Sequence, residues 1–374
     1  MSTFTRREVL ALLGATAVAP AKEAPTAPVA VARCRTYDQE MVTALSTMLD
    51  QLGGLDRLVK GKTVTIKLNL TGSPALKVEG KPLGLTHYTH PGVVEAFVHL
   101  LGRAGARRIR LVESCWGTGG PLEEYMLDSG WRVRRLQSAA SNVEFENTNA
   151  RGLGKRYARL KVPGGGHMFP AYDLNHSYED TDVFMTLAKM KNHATCGVTL
   201  ALKNSFGITP ASIYGDDAGV DEPNESPTKG RGAVLHAGKR QPAKSALPEH
   251  RPGANLDAGY RVPRIVADLS AARPIDLAVI DGIETISGGE GPWIRGVRMV
   301  SPGLLAAGTN PVTTDAVCTA LMGYDPRADR GTAPFQECDN TMKLAEAHGV
   351  GTTDLKRIEV RGVPIRQALY RFPA

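Results

Sequence analysis

Three basic side chains after an apolar run are the strongest candidates for chemistry in this sequence. Lys189, Lys191 and His193 follow the stretch 181–188, which is typical of a buried β-strand. If the strand continues through them, its period of two residues places all three side chains on one face. Such a row of cations would suit an anionic ligand. A strand that leaves the core and solvates its lysines would produce the same pattern, so the residues alone leave both interpretations open.

The segment that follows extends the basic candidate site. Residues 195–206 predict a helix, whose first backbone N–H groups would add positive potential near His193. This helix would end in the polar pair Lys203 and Asn204. Eight helical residues span roughly 12 Å. Lys203 and His193 therefore need not contact the same ligand atom.

Two further strand ends carry polar side chains. Lys67 and Asn69 lie at the end of the predicted strand 64–68, and Asp281 ends the predicted strand 275–281. Ligands of open α/β sheets bind outside the carboxyl ends of the strands, which favours these positions. A lysine whose aliphatic stem is buried and whose ammonium reaches solvent would also explain Lys67. An Asp-Gly turn would explain Asp281.

Other titratable residues have simple structural explanations beside functional ones. His87 and His90 could share a ligand, but no third histidine or carboxylate has matching spacing for a metal. His90 directly precedes a helix that begins with a proline, as an N-cap neighbour does. Asp315 falls in the first turn of the predicted helix 311–322, where the helix dipole favours a carboxylate. The glycines after Glu113 match neither common phosphate-loop motif.

Composition limits the class of protein and of cofactor. The chain has 374 residues, 42% of them hydrophobic, so it can form a full-sized core. Its formal charge of +7 is modest and spread along the chain, so nucleic acid is not predicted as a partner. The cysteines are scattered, with no C-x-x-C pair, which argues against an iron–sulfur cluster. The pattern identifies no cofactor. The five cysteines are Cys34, Cys115, Cys196, Cys318 and Cys338.

The amino terminus has the layout of an export signal. Arg6 and Arg7 precede the apolar run 9–18, and small residues follow, with cleavage expected after Ala21. The paired arginines resemble the twin-arginine motif, although an ordinary secretory signal would share the layout. We therefore expect the twin-arginine translocon as a partner and a periplasmic or extracellular protein. No later stretch has the length and apolarity of a membrane span.

Alternating strands and helices predict an α/β fold with a mainly parallel, mixed sheet flanked by helices. Residues 1–21 form the signal, 22–61 a linker and helical lead-in, and 62–374 a single domain. Within it, residues 208–262 are rich in proline, glycine and charge, which indicates a lid-like insertion. Further predicted elements complete the domain. They are strands 108–113, 181–188, 299–307 and 355–360, and helices 91–104, 121–128, 264–271 and 341–347.

Several of these segments resemble one known family. The blocks VTIKLN at 64–69, LAKMKNH at 187–193 and VTLALKNSFG at 198–207 resemble, in order, the bacterial and archaeal family catalogued as domain of unknown function 362. Thr89-His90-Pro91, Asp281-Gly282 and the block 314–317 extend the match. The resemblance covers most of the chain after the signal. A subset of this family carries ferredoxin-like cysteine blocks, which this sequence lacks, so a redox role is the least favoured.

The resemblance implies a set of site positions. It would make His236 a site residue and the insertion around it a lid. The other implied positions are Lys67, Asn69, His90, Lys189, Lys191, His193, Lys203, Asn204, Asp281 and Asp315. We expect a small carboxylated or phosphorylated ligand, with His193, His90 and Asp281 as acid–base residues if the protein is an enzyme and the others as binding residues. A metal-assisted reaction, or a periplasmic ligand- or metal-binding protein without turnover, is the alternative.

Overall fold

A computed structural model describes residues 23–152, 154 and 156–373 of the chain. The expected signal at 1–21 lies outside the described residues. Eight strands form the central sheet, in the spatial order β14-β1-β13-β10-β7-β2-β3-β4. Their bounds are β1 Val29–Arg33, β2 Thr63–Lys67, β3 Arg108–Glu113, β4 Val143–Asn147, β7 Val183–Lys189, β10 Leu277–Gly282, β13 Leu304–Gly308 and β14 Val360–Gly362.

The sheet is mostly parallel, as the alternation of strands and helices predicts. Five of its seven strand pairs are parallel, and both antiparallel pairs involve β13. Strand β7 pairs with β2 on one side and β10 on the other. The α/β fold with a mixed sheet is therefore confirmed.

Three two-stranded hairpins accompany the sheet: β5 with β6, β8 with β9, and β11 with β12. Their bounds are β5 Tyr157–Lys161, β6 Ala171–Asn175, β8 Lys191–His193, β9 Gly197–Thr199, β11 Thr285–Ser287 and β12 Arg298–Val300. The β8–β9 hairpin directly follows β7. It therefore turns the chain away from the sheet at the site of the basic run.

The helices lie on both faces of the sheet. Their bounds are α1 Gln39–Gln51, α2 Asp56–Val59, α3 Pro91–Arg103, α4 Leu122–Asp128, α5 Val133–Gln137, α6 Ala201–Asn204, α7 Ala211–Tyr214, α8 Ala258–Ala272, α9 Pro311–Leu321, α10 Thr341–Ala347 and α11 Ile365–Ala368. Short 3-10 turns occur at Leu83–Leu85, Pro163–Gly165, His176–Tyr178, Ser205–Ile208 and Leu355–Arg357, and a π-turn at Gly232–His236.

Local sequence explains where the main helices start. Asn310 caps α9 by accepting hydrogen bonds from the backbone N–H groups of Val312 and Thr313, and Pro311 occupies the first turn. Asn340 caps α10 in the same way. His90 caps α3, with its Nδ1 accepting from Gly92 N. These caps agree with the predicted starts of all three helices.

The core forms two apolar clusters, one on each face of the sheet. In β1, Val29 and Val31 join one cluster and Ala30 joins the other, as the period of two in a strand requires. In β2, Val64 and Ile66 face the second cluster. Burial on both faces explains the nearly continuous apolar composition of the central strands.

Several segments differ from the sequence-based expectation. The predicted linker before residue 33 contributes β1, which pairs with β13 and β14. The predicted helix 195–206 divides into β9, α6 and a 3-10 turn, because Gly197 adopts a positive φ of 73° in the hairpin turn. The predicted strand 299–307 divides into β12 and β13. The predicted strand 355–360 is a 3-10 turn before β14.

Over residues 23–152, 154 and 156–373, every helix is too short or too polar to traverse a bilayer.

Candidate functional site

The topology places one crevice at the carboxyl edge of the sheet. The chain runs outward from β2 through β3 to β4 and then returns to β7, on the other side of β2. Strand order therefore reverses between β2 and β7, which is the usual ligand position in open α/β sheets. Lys67 ends β2 and Lys189 ends β7 at this point.

A cavity of about 690 Å³ lies at the same edge. It receives side chains from the ends of β2 and β3, the β8–β9 hairpin, α6 and the insertion. Its titratable lining residues are four cations, three carboxylates and two histidines. They are Lys67, Lys203, Lys229, Arg231, Glu113, Asp216, Glu290, His193 and His236.

Lys67 and Glu113 form a buried ion pair at the base of the cavity. Lys67 Nζ lies 2.5 Å from Glu113 Oε1 and also donates to the carbonyl of Leu68 at 2.7 Å. Glu113 accepts from the backbone N–H of Leu70 at 2.7 Å and of Ser114 at 2.9 Å. Burial lowers the pKa of Lys67, and the charge of Glu113 opposes that shift. Lys67 is therefore already compensated by a carboxylate.

Asn69 and Asn204 connect the end of β2 to α6. Asn69 Nδ2 donates to Asn204 Oδ1 at 3.1 Å, and Asn204 Nδ2 donates to Thr186 Oγ1 at 2.7 Å. Asn69 Oδ1 is buried without a hydrogen-bond partner among the described residues. A buried oxygen without a partner is costly, so this atom is a site for a ligand or water donor.

Lys203 and Arg231 supply positive charge without carboxylate partners. Lys203 Nζ lies 4.2 Å from the centroid of the Phe206 ring. Arg231 donates to Thr209 O at 2.7 Å and to Asn149 Oδ1 at 2.9 Å, both neutral acceptors. In the described part of the chain, neither cation forms an ion pair.

Desolvation is the main effect on the pKa of both cations. It lowers the pKa of Lys203; Glu290 opposes that shift, whereas the positive charges of Arg231 and Lys67 add to it. Desolvation also lowers the pKa of Arg231 to about 10, against the opposing charges of Glu113 and Asp216. An anion between them would reduce their mutual repulsion.

His193 and His236 carry their ring protons on different nitrogens. His193 Nδ1 accepts from the backbone N–H of Thr195 at 3.1 Å, so the proton of its neutral ring is on Nε2. His236 Nδ1 lies 3.2 Å from the carbonyl of Arg231 and must donate to it, which leaves Nε2 as an acceptor. Burial lowers the pKa of His193 to about 3 and that of His236 to about 4, so both rings are neutral near pH 7.

Glu290 is oriented beside His193. Its Oε2 accepts from Ala194 N at 3.0 Å and lies 3.7 Å from His193 Nδ1, and its Oε1 accepts from Trp293 Nε1 at 2.9 Å. These donors and the adjacent His193 lower the pKa of Glu290 to about 2 despite its burial. Glu290 is therefore a fixed negative charge at the cavity wall.

Lys189 and Asp281 do not line this cavity. Lys189 Nζ lies 2.9 Å from Asp281 Oδ2 and donates to Gly84 O at 2.6 Å. Both side chains are buried, and Tyr37 donates to Asp281 Oδ1 at 3.1 Å. His90 stacks on Tyr37 with ring centroids 3.6 Å apart. These contacts form a closed polar cluster that anchors α3 to the sheet.

Lys191 and Asp315 are also held by internal contacts. Lys191 Nζ donates to the carbonyl of His87 at 2.6 Å, and burial lowers its pKa to about 7. Asp315 accepts from Ala201 N at 2.9 Å and Leu202 N at 2.8 Å, so it caps α6 from outside that helix. Burial raises the pKa of Asp315 to about 7. Asp315 thus positions the helix that carries Lys203.

The structure brings together six of the predicted site residues and separates the other five. Lys67, Asn69, His193, Lys203, Asn204 and His236 line the cavity. The separated residues are Lys189, Lys191, His90, Asp281 and Asp315. One cause is that β7 ends at Lys189 and the hairpin strand β8 begins two residues later, so the basic run does not continue as one strand.

Other cavity residues are not predicted as site residues from the sequence, among them Arg231, Glu290, Trp116 and Trp293. Arg231 lies in the charged insertion, where many basic residues have no distinguishing pattern. Glu290 lies in the glycine-rich segment after Asp281. Its position after the end of a strand is the one sequence feature that could indicate a role in the site. Trp116 and Trp293 are half-exposed at the cavity, and solvent-accessible aromatic rings are typical of ligand sites.

Comparison with known proteins gives a family and one sequence relative. Residues 64–320 match the family described as Domain of unknown function (DUF362). The chain is 27% identical over 300 residues to a protein named Thylakoid-associated protein sll1697 from Synechocystis sp., covering 80% of this chain and 75% of that protein. A solved structure from Thermotoga maritima aligns at 12% identity with a TM-score of 0.33, over 71% of this chain and 55% of that one.

Proposed function

The chain belongs to the family described as Domain of unknown function (DUF362), and we propose that it binds a small carboxylated or phosphorylated anion in the cavity at the sheet edge. The observation that carries this proposal is the pair Lys203 and Arg231, two half-buried cations at the cavity without an ion-pair partner among the described residues. An anion would supply the missing counter-charge. Hydrogen bonds to charged groups inside a protein are also stronger than those between neutral groups.

The other lining groups suggest how such a ligand is oriented. His193 offers an Nε2–H donor to one anionic oxygen. Asn69 Oδ1 is an acceptor that a hydroxyl or amine of the ligand can satisfy. Trp116, Trp293 and Leu76 provide apolar surface in a cavity far larger than a phosphate ion requires. We therefore favour an organic anion with an apolar or planar portion over an inorganic ion.

Acid–base catalysis on the same ligand is the second candidate function. The specific observation is the pair of neutral histidines with opposite tautomers, because His236 Nε2 can accept a proton while His193 Nε2–H can donate one. Glu290 beside His193 would stabilise the cation that forms if that ring is protonated. His90 and Asp281 have no place in this version, since they lie in the closed cluster with Lys189.

The cellular setting is part of the proposal. We propose that the twin-arginine segment at Arg6 and Arg7 directs the folded protein through the twin-arginine translocon to the periplasm or cell exterior. Export in a folded state would leave the cavity complete before transport, so that it would bind its ligand on either side of the membrane.

Calorimetric titration of the purified chain tests anion binding directly. Phosphate, a short dicarboxylate and an aromatic carboxylate are titrated at pH 7, with tryptophan fluorescence as the second signal because Trp116 and Trp293 lie at the cavity. We expect saturable one-to-one binding, tightest for an organic anion. Absence of saturable binding for all three anions would contradict the proposal.

A further inference from the structure

A second polar cluster lies outside the cavity, where three separate segments meet. His167 follows the 3-10 turn at Pro163–Gly165, Asp268 belongs to α8, and His348 caps the carboxyl end of α10. Their candidate ligand atoms all lie within 4.8 Å of one another. The two imidazole ring centroids are 4.2 Å apart, and His348 Nε2 lies 3.0 Å from Asp268 Oδ1.

Backbone and side-chain donors fix the carboxylate in position. Asp268 is fully buried, and it accepts from the N–H groups of His167 at 2.6 Å and Met168 at 2.8 Å. Tyr172 donates its hydroxyl to Oδ2 at 3.2 Å. Hydrogen bonds of this kind hold a carboxylate oxygen in a fixed direction, as they do for carboxylates that ligate metals.

His167 has an unused ligand atom in this cluster. Its Nε2 is buried and has no hydrogen-bond partner among the described residues. An imidazole nitrogen with a free lone pair is the atom by which histidine ligates a metal.

We propose that His167, Asp268 and His348 bind a divalent zinc ion, with water as the fourth ligand. Two imidazole nitrogens and a carboxylate oxygen form a donor set that zinc accepts. Tetrahedral ligands at about 2.0–2.2 Å from zinc are roughly 3.4 Å apart. Ligand atoms now as much as 4.8 Å apart would therefore move closer by up to about 1.4 Å, and His348 Nε2 and Asp268 Oδ1, now 3.0 Å apart, would separate slightly. The ion takes the place of the His348 proton that now bonds to Asp268. It would cross-link α8, α10 and the turn before β6, independently of anion binding.

Zinc titration of the full chain without an affinity tag, after treatment with a chelator, tests this site. We expect one zinc per chain and a rise in melting temperature that grows with zinc concentration. His167→Ala and His348→Ala should each weaken binding by 10- to 100-fold. His99→Ala is the matched control, because His99 is exposed on α3 and should leave zinc affinity unchanged.

Two further measurements separate loss of a ligand from loss of folding. His348→Gln retains a hydrogen-bond donor for Asp268 and should fold normally yet still lose zinc affinity. Cobalt(II) substitution should produce the intense visible absorption of a tetrahedral site in the parent chain and in His99→Ala but not in His348→Gln. Equal zinc affinity in the parent chain and His348→Gln, or no one-to-one binding in the parent chain, would overturn the proposal.

Discussion

Lys67 and Glu113 form an ion pair across two adjacent parallel strands, with Lys67 Nζ 2.5 Å from Glu113 Oε1. Each residue ends its strand, and the register of β2 and β3 sets Lys67 opposite Val112, one residue before Glu113. Both side chains are less than 5% exposed. Because this pair compensates its own charge, the cavity cations available to a ligand without breaking an ion pair include Lys203 and Arg231, which lie outside the sheet.

Replacing Lys203 by methionine should impair anion binding without loss of stability. The ammonium has no carboxylate partner in the described structure, so its removal eliminates a half-buried, unpaired charge and should not lower the melting temperature of the unliganded protein. Loss of a charged hydrogen bond costs roughly 1.5–3 kcal/mol, about 10- to 100-fold in Kd. Calorimetry of Lys203→Met measures this loss. Lys161→Met, at an exposed position on β5, is the control, and equal Kd values in both variants would refute the role of Lys203.

Removing the Asp281 carboxylate should destabilise the fold but spare the cavity. Asp281→Leu leaves Lys189 as an uncompensated buried charge, which should lower the free energy of unfolding by roughly 3–5 kcal/mol. The double variant Lys189→Met/Asp281→Leu should recover part of that loss in urea titrations. Anion Kd should stay within about twofold of the parent value. A Kd that rises sharply in a stable Asp281 variant would instead support a direct site role.

His90 should contribute to acid sensitivity. Burial, together with the Lys189 charge, lowers its pKa to about 4 from the ordinary 6.5. Below pH 6.5 the unfolded chain takes up a proton that the folded chain does not, so this contribution to stability is lost as the pH falls from 6.5 to 4. His90→Asn keeps an N-cap acceptor for α3, so it should change stability at pH 7.5 by less than about 1 kcal/mol.

The measurement for His90 is the free energy of unfolding against pH. The slope between pH 4 and 6.5 should be smaller in His90→Asn than in the parent chain, by at most about 1.36 kcal/mol per pH unit. His99→Asn, at an exposed position, should keep the parent slope. An unchanged slope in His90→Asn would show that His90 is not the group involved.

The insertion should respond to ligand. Thr228, Arg231 and His236 line the cavity, whereas Val220 in the same insertion is 63% exposed. Limited trypsin digestion should cut first between residues 216 and 244, and a saturating organic anion should slow that cut several-fold. Cleavage at the same rate with and without ligand would rule out a lid function for this segment.

Conservative replacement of the paired arginines tests the export route. Changing Arg6 and Arg7 to lysine keeps the charge but should strand folded precursor in the cytoplasm. Cell fractionation of the two forms measures the outcome. Normal export of the lysine variant would exclude the twin-arginine route and leave an ordinary secretory signal.

Some features of the fold are predictable because they depend on neighbouring residues. The apolar run that becomes β2, the strand at 108–113 and the start of α9 at Pro311 all follow from local composition, period and capping. The strand β1 is not predicted from the sequence, because its five residues resemble a short linker and its pairing partners Leu304–Gly308 lie far away in sequence. Only assembly of the sheet provides the burial that stabilises it.

Local composition is enough to identify Lys67, Asn69, Lys203 and Asn204 as polar groups next to strand or helix ends, and to identify the fold as α/β. Which charged groups are compensated depends on contacts that form only when the chain folds. Lys189 and Lys203 are equally basic in sequence, yet Lys189 pairs with Asp281 from β10 whereas Lys203 has Phe206 beneath it and no carboxylate partner in the described residues. A residue's type fixes whether its side chain can carry a charge, but the neighbouring charges that compensate it come from strands and loops far apart in the chain.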